Sequence, residues 1–405
     1  MTFKYGVLAD YFDGIGFKRL KPVEIDPESS NGHEFHGVTI FREILGTERK
    51  RFQTRMIYLC DSEGEILEDR PELTWYDARE RHPTRSEFRL YYKNSVCIDK
   101  ARPEDLMVLC VNKAKDEETR TLTVLIAKHG DTIESQLAWL FGIELAGVTE
   151  RGMVQHENDR PVNFYMEIIL ERIGISLLDD DDALLSRLVE KFNGRFPSTA
   201  SFSAFAREVV PEVNCKDDVD GAVSAWMESE ERAFRCLERH IVKHRIEQGF
   251  TRVEDFIDFS LSVQNRRKSR AGHALENHLR HLFQTLGIRY SHNQITENRS
   301  RPDFLFPGIK EYRDPGFPTL SLSMLGVKTS CKERWRQVLS EAQRLSKKHL
   351  LTLEPGISTT QTDEMRSFSL QLVVPRQIFD SYTSRQQSWL MSISDFTQHV
   401  KTLQD

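Results

Sequence analysis

The chain has few cysteines, and the six it has are scattered: Cys60, Cys97, Cys110, Cys215, Cys236 and Cys331. No CxxC occurs, and no cysteine–histidine pair has zinc spacing, so neither a disulfide framework nor a zinc finger is indicated. The thiols read as reduced core residues of a cytoplasmic protein. No run approaches 18 apolar residues, which excludes an evident membrane span. The start, Met1-Thr2-Phe3-Lys4-Tyr5, lacks the apolar segment of a signal peptide. An excess of positive charge is also missing. The net charge of −6 argues against a protein that coats nucleic acid without selectivity, but not against a local basic groove.

What is present is ordinary globular material, 39% hydrophobic and 29% charged, in 405 residues. That length predicts two domains. Residues 1–150 read as strands and loops. The apolar runs Leu106–Val111 and Leu122–Ala127 flank a polar stretch and predict a hairpin. Met56–Cys60 and Arg89–Tyr92 are further strands. Asp131 followed by Glu134 predicts a capping box ahead of a helix to Phe141. The block is expected to be β-rich and barrel-like. Two of its loops have a composition suited to DNA. One holds Asn31, His33 and His36; the other runs from Trp75 through Arg81 and Arg85 to Arg89. Arginines among aromatics can reach phosphates and base edges, and a pair of solvated loops is the plainer alternative.

Residues 151–165 are polar and irregular, a linker in composition. Asp179–Asp182 reads as a helix cap ahead of Ala183–Phe192 rather than a metal site, because consecutive side chains diverge. Asp220–Gln248 carries Val223, Trp226, Phe234, Leu237, Ile241 and Ile246 near helical spacing, with Gly249 as a stop. Val253–Val263 predicts another helix.

Charge segregates next. Between Gln264 and Arg280 stand five Arg or Lys and one acidic residue. Arg266, Arg267 and Arg270 precede a helix predicted over Gly272–Gly287, with Ala274, Leu275, His278, Leu279, Leu282 and Phe283 on its apolar side and Glu276 on another. Pro302-Asp303 opens an apolar strand, Phe304–Phe306. A second strand, Leu322–Val327, delivers Lys328. Phosphodiester hydrolysis with Mg²⁺ needs oxygen ligands for the metal and a cation beside the scissile phosphate. The familiar PD…(D/E)xK pattern places a carboxylate at position 326, where this chain has Gly. A helix predicted over Arg334–Ser346 carries Glu341, which can supply that carboxylate if the helix crosses the site. Asp303, Lys328, Glu341 and Glu276 then form one constellation, with Asp303, Glu341 and Glu276 as metal ligands. A structural salt-bridge network is the alternative. Lys332, Glu333 and Arg334 suit a G·C pair in the major groove, or else a solvated helix start.

The runs RRKSRAGHALENHLRHLF, RPDFLFP and MLGVKTSCKERWRQVLSEAQRL closely resemble the catalytic domain of EcoRII-type restriction endonucleases. The likeness is densest from about Arg195 onward. It implies Glu276, Asp303, Lys328 and Glu341 as catalytic residues, with the displaced glutamate answering for Gly326. It also implies Tyr312 near the site, Lys332, Glu333 and Arg334 as base readers, and Arg266, Arg267 and Arg270 facing DNA. More weakly, the His33–His36 segment and the arginine loop resemble the DNA-gripping arms of that family's B3-like pseudobarrel, an effector domain that restrains the catalytic dimer. The implied architecture is multidomain, α+β and α/β. Residues 1–150 form the B3-like domain, 151–185 a linker, and 186–405 a PD-(D/E)xK endonuclease domain. The implied function is Mg²⁺-dependent double-strand cleavage of a short, C/G-flanked palindromic DNA site by a homodimer, beside a separate cognate methyltransferase. Rival readings are a sequence- or methylation-specific DNA binder with a silent nuclease domain, and a monomeric nicking or repair nuclease.

Overall fold

The computed structural model describes residues 7–25, 33–61, 67–114, 119–145, 161–175, 181–331 and 334–405, the Lys268 side chain apart. The chain divides into two compact units. One comprises 2–177 with 356–360, the other 178–355 with 361–405. Among the described residues no helix is long and apolar enough to cross a membrane.

The N-terminal unit is built on strands β1 (Phe12–Arg19), β2 (Glu34–His36), β3 (Lys50–Leu59), β4 (Leu67–Asp69), β5 (Glu72–Asp77), β6 (Phe88–Tyr92), β7 (Leu106–Asn112) and β8 (Leu122–Ala127). Their order is β1-β7-β8-β3-β5-β6-β2, with β4 also on β3. The expected hairpin is β7–β8, paired Leu106↔Ala127 through Val111↔Leu122. Both faces of that hairpin are buried, which is why its sequence runs apolar instead of alternating. Strand β3 serves two partners. Lys50–Gln53 pair antiparallel with β5, and Thr54–Leu59 pair parallel with β8. Phe35, Phe41, Trp75, Leu90 and Leu109 share one core across the two parts.

The helix Thr132–Phe141 forms, but its cap differs from the expected box. Asp131 accepts from the Asp61 amide at 2.8 Å, and the Asp61 carboxylate takes the Thr132 amide at 2.6 Å. Glu134 turns back to the Gly130 amide and pairs with Arg19. The orphan amides of the helix are met from 71 residues away, a partner no local motif announces.

In the C-terminal unit Asp181 caps the helix Asp182–Phe192 through the Leu184 amide, as its acidic run predicts. Helix Val219–Gln248 ends at Gly249, whose φ of 72° favours glycine. The next helix, Val253–Thr285, runs unbroken for 33 residues where two shorter helices were expected. Gly272 lies inside it; an interior glycine costs only about 1 kcal/mol, which packed flanks override. Ala274, Leu275, His278, Leu279, Leu282 and Phe283 are all buried. Phe283 meets Phe304 and Phe306 edge to face, each at 5.2 Å, and so lays this helix on a five-stranded sheet. The strands are β9 (Ser291–His292), β10 (Phe304–Phe306), β11 (Ser323–Val327), β12 (Lys348–Leu351) and β13 (Leu370–Val373). The order is β13-β12-β11-β10-β9. Strand β10 is antiparallel to both neighbours, and β11, β12 and β13 run parallel.

Candidate active site

The antiparallel pairing of β10 and β11 explains how residues far apart in sequence converge. Phe304 lies opposite Leu325, so the head of β10 adjoins the tail of β11. Asp303, just before β10, and Lys328, just after β11, therefore meet, with Nζ 3.1 Å from Oδ2. The Val327 amide donates to the same oxygen at 2.6 Å and fixes the carboxylate. Burial raises the pKa of Asp303; Lys328 and the Val327 amide oppose that, and Glu276 adds to it.

Position 326, where a strand carboxylate would fall, has no room for a side chain. A Cβ there would lie 2.8 Å from Val338 Cγ2 and 3.0 Å from its Cγ1. Val338 belongs to the helix Trp335–Leu339 and is fully buried on this strand. That helix is shorter than the expected Arg334–Ser346. The Leu339 carbonyl is taken by the Lys348 ammonium, and Ala342 turns to φ +45°. Glu341 thus stands in the turn beyond the helix rather than two turns into one, with its amide on the Val338 carbonyl at 3.1 Å. The apolar spacing survives the break, since Trp335, Val338, Ala342 and Leu345 are all buried.

Glu341 is the most perturbed carboxylate of the group. Burial and then the charge of Asp303 push its pKa to about 7, against the pull of Lys328 and Lys348. Its Oε2 is buried and finds no hydrogen-bond donor among the described residues. Glu276 comes from the long helix, and its Oε2 lies 2.9 Å from His292 Nε2 on β9. Burial disfavours its ionised form, but the His292 bond and the charges of His292, His273 and Lys328 prevail, and its pKa falls. Two carboxylates are thus held apart in protonation, a feature of acid–base sites. The structure brings Asp303, Lys328, Glu341 and Glu276 into one electrostatic group.

Tyr312 sits beside rather than within it. Its hydroxyl donates to Glu297 at 2.7 Å and accepts from the Arg344 amide at 3.2 Å. Sequence reading missed His292 and the buried Lys348. A lone histidine in a polar run and a lysine at a strand start carry no spacing signal; only the fold places them against Glu276 and Glu341.

The candidate DNA contacts divide. Arg266 stacks on Phe196 at 4.4 Å, and Arg267 is exposed while its Nε donates to Glu238 at 2.7 Å. Arg270 is not on the surface: it pairs with Glu231 and lies 4.0 Å over Phe234. All three lie within about 100° of one another around the long helix, with Arg270 between the other two, so the cover each meets, and not the face it is on, separates them. Arg334 is exposed, and Lys332 and Glu333 lie outside the described residues. In the N-terminal unit His33 precedes β2 and His36 ends it, and Arg81 and Arg85 are exposed in the loop joining β5 to β6. His36 pairs with Arg89 of β6, beside that loop, so this histidine and the arginines share one end of the sheet. Asn31 lies outside the described residues. Trp75 is a correction. Its indole is buried, stacked on Phe88 at 5.2 Å and bonded to the Gly46 carbonyl, because its place on β5 points it into the core.

An acid at the head of one central strand, a lysine at the tail of its antiparallel neighbour and a second buried carboxylate are thus gathered at one mouth of the sheet. Residues 234–397 match the family model described as EcoRII C terminal. Over 217 residues the chain is 41% identical to the type II restriction enzyme EcoRII of Escherichia coli, covering 53% of each protein. The chain thus spans about half the length of that curated relative, and the resemblance to EcoRII-type restriction endonucleases holds. Among solved structures, metal-depleted Ecl18kI in complex with uncleaved, modified DNA aligns at 17% identity and TM-score 0.44, over 54% of this chain and 83% of that one. Metal-depleted Ecl18kI in complex with uncleaved DNA aligns at the same identity and TM-score, over 56% and 85%.

The donor set suits a hard divalent cation. The orphaned Glu341 Oε2 and the fixed Asp303 carboxylate are oxygen ligands of the type Mg²⁺ takes. Among the described residues no three His, Cys, Asp or Glu stand together in ligand geometry. The remaining positions would fall to water and substrate oxygens, as Mg²⁺ sites commonly arrange.

Proposed function

We propose that this protein is a type II restriction endonuclease that hydrolyses both strands of DNA at a short, C/G-flanked palindromic site. The observation that carries the reading is the Asp303–Lys328 pair at the β10–β11 mouth, with the buried Glu341, whose Oε2 has no hydrogen-bond donor among the described residues, beside it. Mg²⁺, held by Asp303 and Glu341 with Glu276 alongside, would supply an acidified water and charge neutralisation at the phosphate. Lys328 donates to the attacking water or a non-bridging oxygen and stabilises the negative charge of the pentacoordinate phosphorus. The Val327 amide keeps Asp303 oriented toward the same point. Hydroxide adds to phosphorus, one P–O ester bond breaks, and the departing alkoxide takes a proton from solvent. Arg334, with Lys332 and Glu333, reads base edges, and Arg266 and Arg267 neutralise phosphates. The N-terminal unit acts as a DNA-binding effector of B3-like type that restrains cleavage, using His33, His36, Arg81 and Arg85.

The test is cleavage of unmethylated phage DNA by the full chain, in Mg²⁺ and in a chelator. Discrete fragments in Mg²⁺ alone, lost in Asp303→Asn with binding in Ca²⁺ retained, support the reading. A full chain that binds DNA and never cuts it would turn it toward a binding protein.

A further inference from the structure

Strands β12 and β13 run parallel and start side by side, tied by the Lys348 amide on the Ser369 carbonyl at 3.2 Å. Their tails lie toward the candidate active site, where the Lys328 amide bonds the Leu351 carbonyl at the end of β12. Their heads lie one strand length away, roughly 13 Å at about 3.3 Å per residue. There they open on a cleft of about 270 Å³ that cleavage does not use. Ser346, Lys347, Arg366, Ser369, Gln371 and Trp389 line it, and no carboxylate does. Neighbouring side chains along a strand alternate in face. Lys348 reaches the Leu339 carbonyl near Glu341, while Lys347 turns to the cleft.

Three features of the lining call for a ligand. Gln371 is only 9% exposed. Its Nε2 donates to the Trp389 carbonyl at 2.6 Å and to the Leu372 carbonyl at 3.4 Å, which fixes the amide. Its Oε1 accepts from no donor among the described residues. Polar groups this buried are normally bonded, and the cleft is where a donor can enter. Lys347 and Arg366 are exposed, and neither has an ion pair or side-chain hydrogen bond among the described residues. The carboxylates nearest Arg366 in sequence, Asp363 and Glu364, are taken by Arg385 and Arg336 instead. The indole of Trp389 is partly exposed and meets no ring or cation among the described residues.

Each feature has a counterpart in one ligand. Two unpaired cations suit a phosphate, an open indole suits the face of a nitrogen base, and a fixed amide oxygen suits an N–H on that base. The volume lies just under the about 300–1,000 Å³ of small-molecule sites, which fits one nucleotide and not a duplex. We propose that this cleft is a nucleotide-binding site. Lys347 and Arg366 hold the phosphate, Trp389 stacks on the base, and Gln371 Oε1 accepts its N–H. A free nucleotide and the 5′-terminal nucleotide of a DNA strand offer the same chemistry. The proposal stands apart from the nuclease reading, because none of these residues belongs to the Asp303–Lys328 group.

Isothermal titration calorimetry of the full chain tests it with dAMP, deoxyadenosine and inorganic phosphate. A chelator is present, so that no metal draws a probe to the catalytic carboxylates. dAMP binds at one site per chain, and deoxyadenosine and phosphate each bind at least tenfold more weakly. Arg366→Glu and Lys347→Gln each weaken dAMP at least tenfold with unchanged circular dichroism. Trp389→Leu does the same, and the two exposed positions keep the test open if that variant fails to fold. Lys328→Ala leaves dAMP binding unchanged, which separates the cleft from the candidate active site. A 5′-phosphorylated tetranucleotide that binds more tightly than dAMP assigns the cleft to strand ends, and one that binds no better assigns it to the free nucleotide. No binding of dAMP, equal affinity for phosphate alone, or binding that survives Arg366→Glu and Lys347→Gln overturns the proposal.

Discussion

Gly326 should be the least replaceable residue near the site that bears no functional group. A methyl added there meets Val338 at 2.8 Å, closer than real Cβ contacts come. Gly326→Ala should therefore destabilise the β11 region by about 1–3 kcal/mol, the usual penalty of overpacking. Val338→Ala deletes two buried methyl groups. At about 0.8 kcal/mol each plus a cavity, it should cost about 2–3 kcal/mol. The two changes fit each other, because the shortened residue 338 makes room for the new methyl. The double variant should then cost about 1–2 kcal/mol less than the sum of the singles. Native-state amide exchange at Leu325–Val327 in the full chain reads this local opening without requiring two-state unfolding of two units. Because the Glu341 amide hangs on the Val338 carbonyl, Gly326→Ala should also slow cleavage tenfold or more, and the double variant should recover part of it. Additivity within about 0.3 kcal/mol would show that the two residues do not press on each other, and the account of the displaced carboxylate would fail.

Other expectations concern charge. The folded-state pKa of Glu341, about 7, lies above its ordinary 4.5, so metal-free protein holds a proton that the unfolded chain has released between those values. Its stability contribution is complete below pH 4.5 and is lost as pH rises through 7, to an extent of about 3 kcal/mol. Denaturation in chelator at pH 5 and pH 8 should show this fall, and Glu341→Gln should flatten it; equal slopes would contradict the burial argument. Lys328→Ala should abolish plasmid cleavage yet leave specific DNA binding in Ca²⁺, and unchanged cutting would remove it from the mechanism. Arg267→Ala should reduce the salt slope of DNA binding by about one phosphate contact, and it should also lower the melting temperature because the buried Glu238 loses a partner. Arg270→Ala should lower the melting temperature through loss of its Glu231 and Phe234 contacts and leave the salt slope alone.

The Asp303–Lys328 pair was legible because strand starts and ends are marked by local sequence, and two adjacent antiparallel strands do the rest. Gly326 was legible only as an exception, since the cause is Val338, a residue of ordinary appearance twelve positions later. Arg270 and Trp75 were misplaced for one shared reason. Composition shows that a segment is basic or aromatic, but whether a side chain is covered depends on what packs against it, Glu231 and Phe234 for Arg270 and Phe88 for Trp75. The long helix hid its continuity behind Gly272, which an isolated helix would feel and a packed one does not. The cap of Thr132–Phe141 was invisible because the acceptor of its first amide, Asp61, is remote in sequence. Ile246 fitted the helical spacing and still lies outside, because spacing shows that residues share a face and not what that face meets.

The central claim is that Glu341, from a turn, stands in for the carboxylate that strand β11 cannot carry. Cleavage of plasmid DNA by Glu341→Gln in Mg²⁺, beside the wild type at equal DNA occupancy, tests it most directly. The account predicts loss of cutting by at least a thousandfold with binding intact. Cutting at the wild-type rate would contradict it, and would return the buried carboxylate to a purely structural role.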